Sequence, residues 1–266
     1  PAFTALVLDA PSIEEVSADL ANSGQLVDPT AIFEAVSMMR KSLGSVLAGA
    51  LAKTRDAMAT PGPYSPDALS AGKRALANRC LSLLCAADAH GLELAEQQFA
   101  DAGNMTQSMA ALRELVYHGA DAAEAALGSF HARWKEDSLV VDKWLMLQAT
   151  APTPQALTQV EALTGHPSFE WKNPNKFRSL VGGFAMGNPV GFHAADGSGY
   201  RFVTDWLLKL DAINPQTTAR LAGVFETWRR FTEDRQRLIR TELQRIAEYE
   251  ALSRNTREIV ERIIDH

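Results

Sequence analysis

The chain has 266 residues, 46% of them hydrophobic and 22% charged, with a formal net charge of −6 and a pI near 5.6. That length can bury a substantial core as one large domain or two small ones, and the composition excludes a disordered chain. The acidic balance argues against nucleic acid as a partner, and no apolar run approaches the roughly 18 residues of a membrane span, so no membrane insertion is expected.

The opening PAFTALVLDAPSIEE has neither the basic region nor the cleavage site of a signal peptide. It begins without Met, as in a piece cut from a longer chain or one whose Met was removed ahead of Pro. Asp28-Pro29 then starts a helix, with Ile32, Val36, Met39, Leu43, Val46 and Ala50 at helical spacing; the run is predicted to last until Met58, where ATPGPYSP breaks it. Ser65-Pro66 caps the next helix, whose apolar face is Leu69, Leu76, Cys80 and Leu83. Cys80 and Cys85 fall on different sides of that helix and read as buried thiols of a reducing, cytoplasmic compartment. After a break at Gly91, Leu92 to Ala102 forms a short helix. Asn104 or Thr106 opens a run with Leu112 and Val116, Asp121 one with Phe130 and Trp134, Ser138 one with Val140 and Trp144, and Thr153-Pro154 one with Leu157 and Val160.

The stretch from His166 to Leu221 differs from the rest. It holds the pairs Asn173-Pro174, Asn188-Pro189 and Asn214-Pro215, two of them followed at once by an amphipathic, helix-like run; Asn accepts from an early N–H, and Pro lacks the N–H that would go unpaired there. Between them lie Gly182, Gly183, Gly187, Gly191, Gly197 and Gly199, residues used where backbones come close or φ is positive. Beyond it, Gln216 to Phe231, Thr232 to Leu252 and a last run with Ile259, Val260 and Ile263 read as helices. Sustained period-two alternation is missing throughout. The predicted fold is all-α, antiparallel helix pairs stacked as an irregular α-solenoid of the armadillo/HEAT kind, with 1–266 as a single domain and 1–63 and 64–266 as possible sub-lobes.

Chemistry-bearing motifs are sparse. His90, His118, His131, His166, His193 and His266 include no two at three to five residues' spacing, and no H-E-x-x-H is present, so no metal site and no catalytic residue is predicted. Phe192-His193 with Asp196 lacks a second nitrogen or sulfur ligand. Backbone amides at Gly197–Gly199 could hold an anion, although a capped helix start explains the same residues. The helix TEDRQRLIRTELQRIAEYE balances its acids and bases and reads as solvated. The more useful residues are Arg178 and Arg220, each one turn into an Asn-capped helix, with Gln216 one turn before Arg220 on the same face. A guanidinium held there can grip a carboxylate or a carbonyl through two hydrogen bonds.

HPSF, NPNKFRSLVGGFA, NPVGFHAADGSGY and NPQTTARL, with Ala102, Asn104, Met105 and Thr106 upstream, Trp134, and DKWLMLQAT at 142–150, together resemble the C-terminal helical domain of bacterial aminopeptidase N, the zinc-dependent alanyl aminopeptidases of the gluzincin class. DPTAIFEAV near Asp28 matches less tightly, and GGFAMGN only looks similar to the family's G-A-M-E-N. The resemblance implies a domain that closes over a zinc-bearing catalytic domain of the same polypeptide, forms part of the internal cavity and contacts the peptide substrate. Zinc, H-E-x-x-H and G-A-M-E-N would belong to that other part, so this chain alone is expected to be inactive, to need no cofactor of its own and to expose an unusually apolar face. By motif position Arg178, Gln216 and Arg220 look like cavity residues, and Lys176 stands where relatives tend to have Arg. A stand-alone helical scaffold that binds another protein on a concave face is the alternative.

Overall fold

A computed structural model describes residues 1–265. Among them the chain is helical throughout, without a strand; the β-type pairing is one isolated parallel bridge between Val27 and Phe231. Consecutive helices pack on one another in an irregular series, and the chain divides into two compact units. Unit 1 comprises Pro1–Ile13 and Phe33–Arg133; unit 2 comprises Glu14–Ile32 and the chain from Trp134 onward. Among the described residues no helix is long and apolar enough to cross a membrane.

The first helices are α1 (Ala2–Val7), α2 (Ile13–Asn22), α3 (Pro29–Val46) and α4 (Ala48–Ala57). Asp28 caps α3 by accepting from the Thr30 N–H at 3.0 Å, as its Asp-Pro start predicts. The run to Met58 is nonetheless two helices, broken at Leu47, where φ is −100° and ψ 9°. A Cβ on Gly44 would stand 2.1 Å from the Leu83 carbonyl oxygen, so α3 is pressed onto the following long helix, and the break turns Leu51 into the cluster of Leu76, Cys80, Leu83 and Leu84.

That long helix is α5 (Ala68–Ala87), followed by α6 (Ala89–Asp101), α7 (Met105–Tyr117) and α8 (Ala123–Trp134). Asp67, not Ser65, caps α5, accepting from the Ser70 N–H at 2.9 Å, while the Ser65 hydroxyl donates to it at 2.7 Å. Asp88 ends α5 and caps α6 through the Gly91 N–H. Gly91 is therefore no break: it lies in the first turn of α6 against Leu84, where a Cβ would come within 2.2 Å of the backbone. Asn104, rather than Thr106, caps α7. Cys80 and Cys85 are buried free thiols on α5, both pushed up by burial.

In unit 2, α9 (Ser138–Ala149) is capped by Asp137 and α10 (Ala156–Thr164) starts two residues past Pro154. Then come α11 (Pro174–Phe177), a π-helical turn at Arg178–Gly182, α12 (Gly183–Gly187), α13 (Pro189–Phe192), α14 (Ser198–Asp211) and α15 (Pro215–Ala222). The predicted helix from Gln216 to Phe231 is α15 plus two short 3-10 turns, Gly223–Phe225 and Trp228–Arg230. Val27 explains the interruption: its N–H donates to the Arg230 carbonyl at 2.7 Å and its carbonyl accepts from the Thr232 N–H, diverting backbone groups that a helix would use. The chain closes with α16 (Glu233–Ala247) and α17 (Arg254–Asp265). Phe177, Phe184, Tyr200 and Phe225 are fully buried at the centre of this unit, with the Phe184 ring edge-on to Phe192 and Phe202.

Candidate substrate-facing surface

The three Asn-Pro pairs all cap helices. Asn173 accepts from the Asn175 N–H at 3.0 Å, Asn188 from Gly191 at 2.8 Å and Asn214 from Thr217 at 3.0 Å, with Pro at the first helical position each time. The first pair fixes which side chains of NPNKFRS turn inward. Lys176 is buried; its ammonium lies 2.8 Å from Asp142 and donates to the Ser138 carbonyl at 2.9 Å. Lys176 thus ties α11 to the start of α9 and is not a surface contact. Arg178, the first residue of the π turn, is exposed and donates to the Asn175 side chain at 3.1 Å. The start of α12, just after the π turn, lies tight on α9: a Cβ on Gly183 would meet Met146 Sδ at 2.6 Å and Ala149 Cβ at 3.3 Å.

The second pair is a fastener. Besides capping α13, the buried Asn188 amide donates to the carbonyls of Ala149 and Ala151 at 2.9 and 2.8 Å, satisfying the end of α9. Gly199 allows α14 to start directly on this turn, since a Cβ there would stand 2.2 Å from the Gly191 oxygen and 2.5 Å from that of Phe192. Gly197 sits at φ 71°. The anion role considered for Gly197–Gly199 is filled internally, because Asp196 accepts from the Ser198 N–H at 2.9 Å.

The third pair sets out Gln216 and Arg220 on α15. Both are exposed and one turn apart, while Thr218, Leu221 and Ala222 bury the opposite face. Neither Gln216 nor Arg220 makes a side-chain hydrogen bond or ion pair among the described residues. The fold therefore groups Gln216 with Arg220. Arg178 belongs to a segment that packs mainly on α9, α10 and α12, whereas α15 packs on α14 and α17.

Sequence reasoning missed the polar centre of unit 2. Arg235, in the helix read as solvated, is 8% exposed and donates to Asp28 and Thr30 at 2.9 Å each, and also to the His193 carbonyl. Burial works to raise the Asp28 carboxyl, but the Arg235 guanidinium and the N–H groups of Thr30 and Ala31 hold it below its ordinary value. His193 Nδ1 is 2.8 Å from the Tyr200 hydroxyl. Burial, with Arg235 beside it, pushes His193 down to about 3, and burial raises Tyr200 to about 12. His193 is thus a neutral, partnered and partly buried residue. A second knot is the buried Asp211, which accepts from the Ser253 N–H and hydroxyl at 2.6 and 2.8 Å and from Thr256, fixing the start of α17.

Among the described residues no group of three or more His, Cys, Asp or Glu side chains is placed to hold a metal ion. His90 faces Glu93, His118 faces Glu114, and His166 accepts from the Ser168 N–H, so their rings are engaged locally; His266 lies outside the described residues.

The all-helical, irregularly stacked chain accords with a repeat family: residues 1–265 match "Domain of unknown function (DUF3458_C) ARM repeats", and the chain belongs to that family. Its relatives include aminopeptidase N of Caulobacter vibrioides, 41% identical over 266 residues, covering 99% of this chain and 30% of that protein. Aminopeptidase N of Escherichia coli is 36% identical over 254 residues, 95% of this chain and 29% of that one. The crystal structure of Legionella pneumophila aminopeptidase A in complex with aspartic acid superposes with a TM-score of 0.87 at 30% identity, over 98% of this chain and 31% of that chain. The chain corresponds to the C-terminal region of these proteins and spans about 30% of their length.

Proposed function

We propose that this chain, as one helical domain, forms part of the internal substrate cavity of a zinc-dependent aminopeptidase and contacts the peptide there, while the metal is held by another part of the same polypeptide. The observation that carries this reading is the match along 99% of the chain to an aminopeptidase N that is more than three times as long. Arg178, Gln216 and Arg220 are the peptide contacts. All three are exposed, and a peptide's C-terminal side offers carbonyls and a carboxylate that a guanidinium binds through two hydrogen bonds. Exposed apolar side chains on α1 (Phe3, Leu6, Val7) and α3 (Met38, Leu43, Val46) support a face made to meet the catalytic portion. The two buried free thiols support a reducing, cytoplasmic setting.

The test is Arg220→Ala in an intact enzyme carrying this domain. KM for longer peptides should rise about tenfold, with amino-acid amides little affected, because only the longer substrates reach the guanidinium. Equal effects on both substrate lengths would remove the assignment. The 266-residue chain alone, with zinc supplied, should leave an alanyl chromogenic substrate uncleaved; turnover above background would overturn the division of labour.

A further inference from the structure

Unit 1 contains a cavity of about 620 Å³ under the ATPGPYSP loop, against the starts of α5 and α7. Its size falls in the range of small-molecule sites. Two cations line it, Lys73 and Arg74, against one acid, Asp101. Arg74 is 4% exposed. Its guanidinium lies 4.6 Å from the Tyr64 ring centre and donates to the Ser65 carbonyl at 2.8 Å, yet its Nε has no hydrogen-bond partner and no carboxylate stands within ion-pair distance among the described residues. A buried cation without a counter-charge is costly, and protein interiors ordinarily pair it. The nearby Asp67 does not pair with it, being engaged by the Ser70 N–H and the Ser65 hydroxyl at the cap of α5. The first turns of α5 and α7, helices of 20 and 13 residues, add positive potential from their N-termini to the same space, and Pro61, Pro63 and Leu69 give it apolar walls.

We infer that this cavity is a binding site for a small, partly apolar ligand carrying a carboxylate or phosphate, which supplies the negative charge that Lys73 and Arg74 lack. The site lies within unit 1 and does not depend on the peptidase reading. Calorimetric titration of the 266-residue chain with N-acetyl-phenylalanine, N-acetyl-phenylalaninamide and inorganic phosphate, at constant ionic strength, tests it. At least one of the two anions should bind, and the amide should bind at least about tenfold more weakly than the carboxylate when that is the anion taken. Binding of N-acetyl-phenylalanine assigns a carboxylate ligand, and binding of phosphate alone assigns a phosphate ligand. Lys73→Glu, at a partly exposed position, should weaken the bound anion at least about tenfold with unchanged circular dichroism. Arg74→Met should abolish binding; where that variant fails to fold, Lys73→Glu decides. Equal affinity for carboxylate and amide, unchanged affinity in Lys73→Glu, or no binding of either anion at about 10 mM would overturn the assignment.

Discussion

In unit 1, α5 runs 20 residues without interruption and buries Leu76, Cys80, Leu83 and Leu84, whereas in unit 2 the stretch from Pro174 to Phe192 is cut into three short helices and a π turn. A four-residue helix has almost no stability of its own, because nucleation costs more than so few bonds return. Unit 2 holds such pieces with buried polar side chains that reach distant backbone: Lys176 to Ser138, Asn188 to Ala149 and Ala151, Arg235 to His193, Asp211 to Ser253. Unit 1 leans more on apolar packing and on close helix approaches at Gly44 and Gly91. The difference teaches where each region is vulnerable, to loss of one hydrogen-bonding group in unit 2 and to added volume in unit 1.

The most damaging test of this contrast is Arg235→Met, which leaves Thr30, the His193 carbonyl and the half-exposed Asp28 without their donor. Unfolding stability should fall by about 2–4 kcal/mol, discounted for the solvent that reaches Asp28. A loss below about 1 kcal/mol in denaturant titration would show that apolar packing, not the polar pin, holds unit 2. Gly91→Ala is the counterpart for unit 1. Its Cβ runs into the Leu84 backbone, and the expected loss is about 1–3 kcal/mol by the same measurement.

Acid should single out unit 2. His193 titrates near 3 in the folded chain, well below the ordinary value of 6.5, so between those values the unfolded chain binds the extra proton. Its contribution is fully present above 6.5 and is lost as pH falls toward 3. From pH 7 to pH 4.5 the parent chain should lose about 2 kcal/mol more than His193→Asn does; equal losses would mean that His193 is not held neutral. The smallest effect belongs to Gly128, exposed within α8 with nothing near its missing Cβ. Gly128→Ala should stabilise by about 0.5–1 kcal/mol, seen as a higher melting temperature.

The sequence made local features legible and distant ones opaque. Asn173 and Asn214 were readable as caps because capping acts over three residues of chain. Arg220 and Gln216 were readable as one exposed face for the same reason, since helical periodicity alone sets it. Arg235 was not, because its partners Asp28 and Thr30 lie 207 and 205 residues away and nothing near it distinguishes it from the solvated arginines of α16. The 3-10 turns after α15 escaped notice because Leu221, Val224, Phe225 and Trp228 keep an inward spacing of three to four residues whether or not the helix continues. The break at Leu47 carries no Pro and is set by the seating of Gly44 on α5.

The contact of Val27 with Arg230 and Thr232 has a consequence for biosynthesis. Residues 33–133 of unit 1 lie, along the polypeptide, between the two parts of unit 2, so the segment 14–32 leaves the ribosome long before the residues it pairs with exist. Unit 1 can complete its core while translation is still under way, but unit 2 must wait, with Asp28 and Val27 unclaimed, until Arg230, Thr232 and Arg235 have been added.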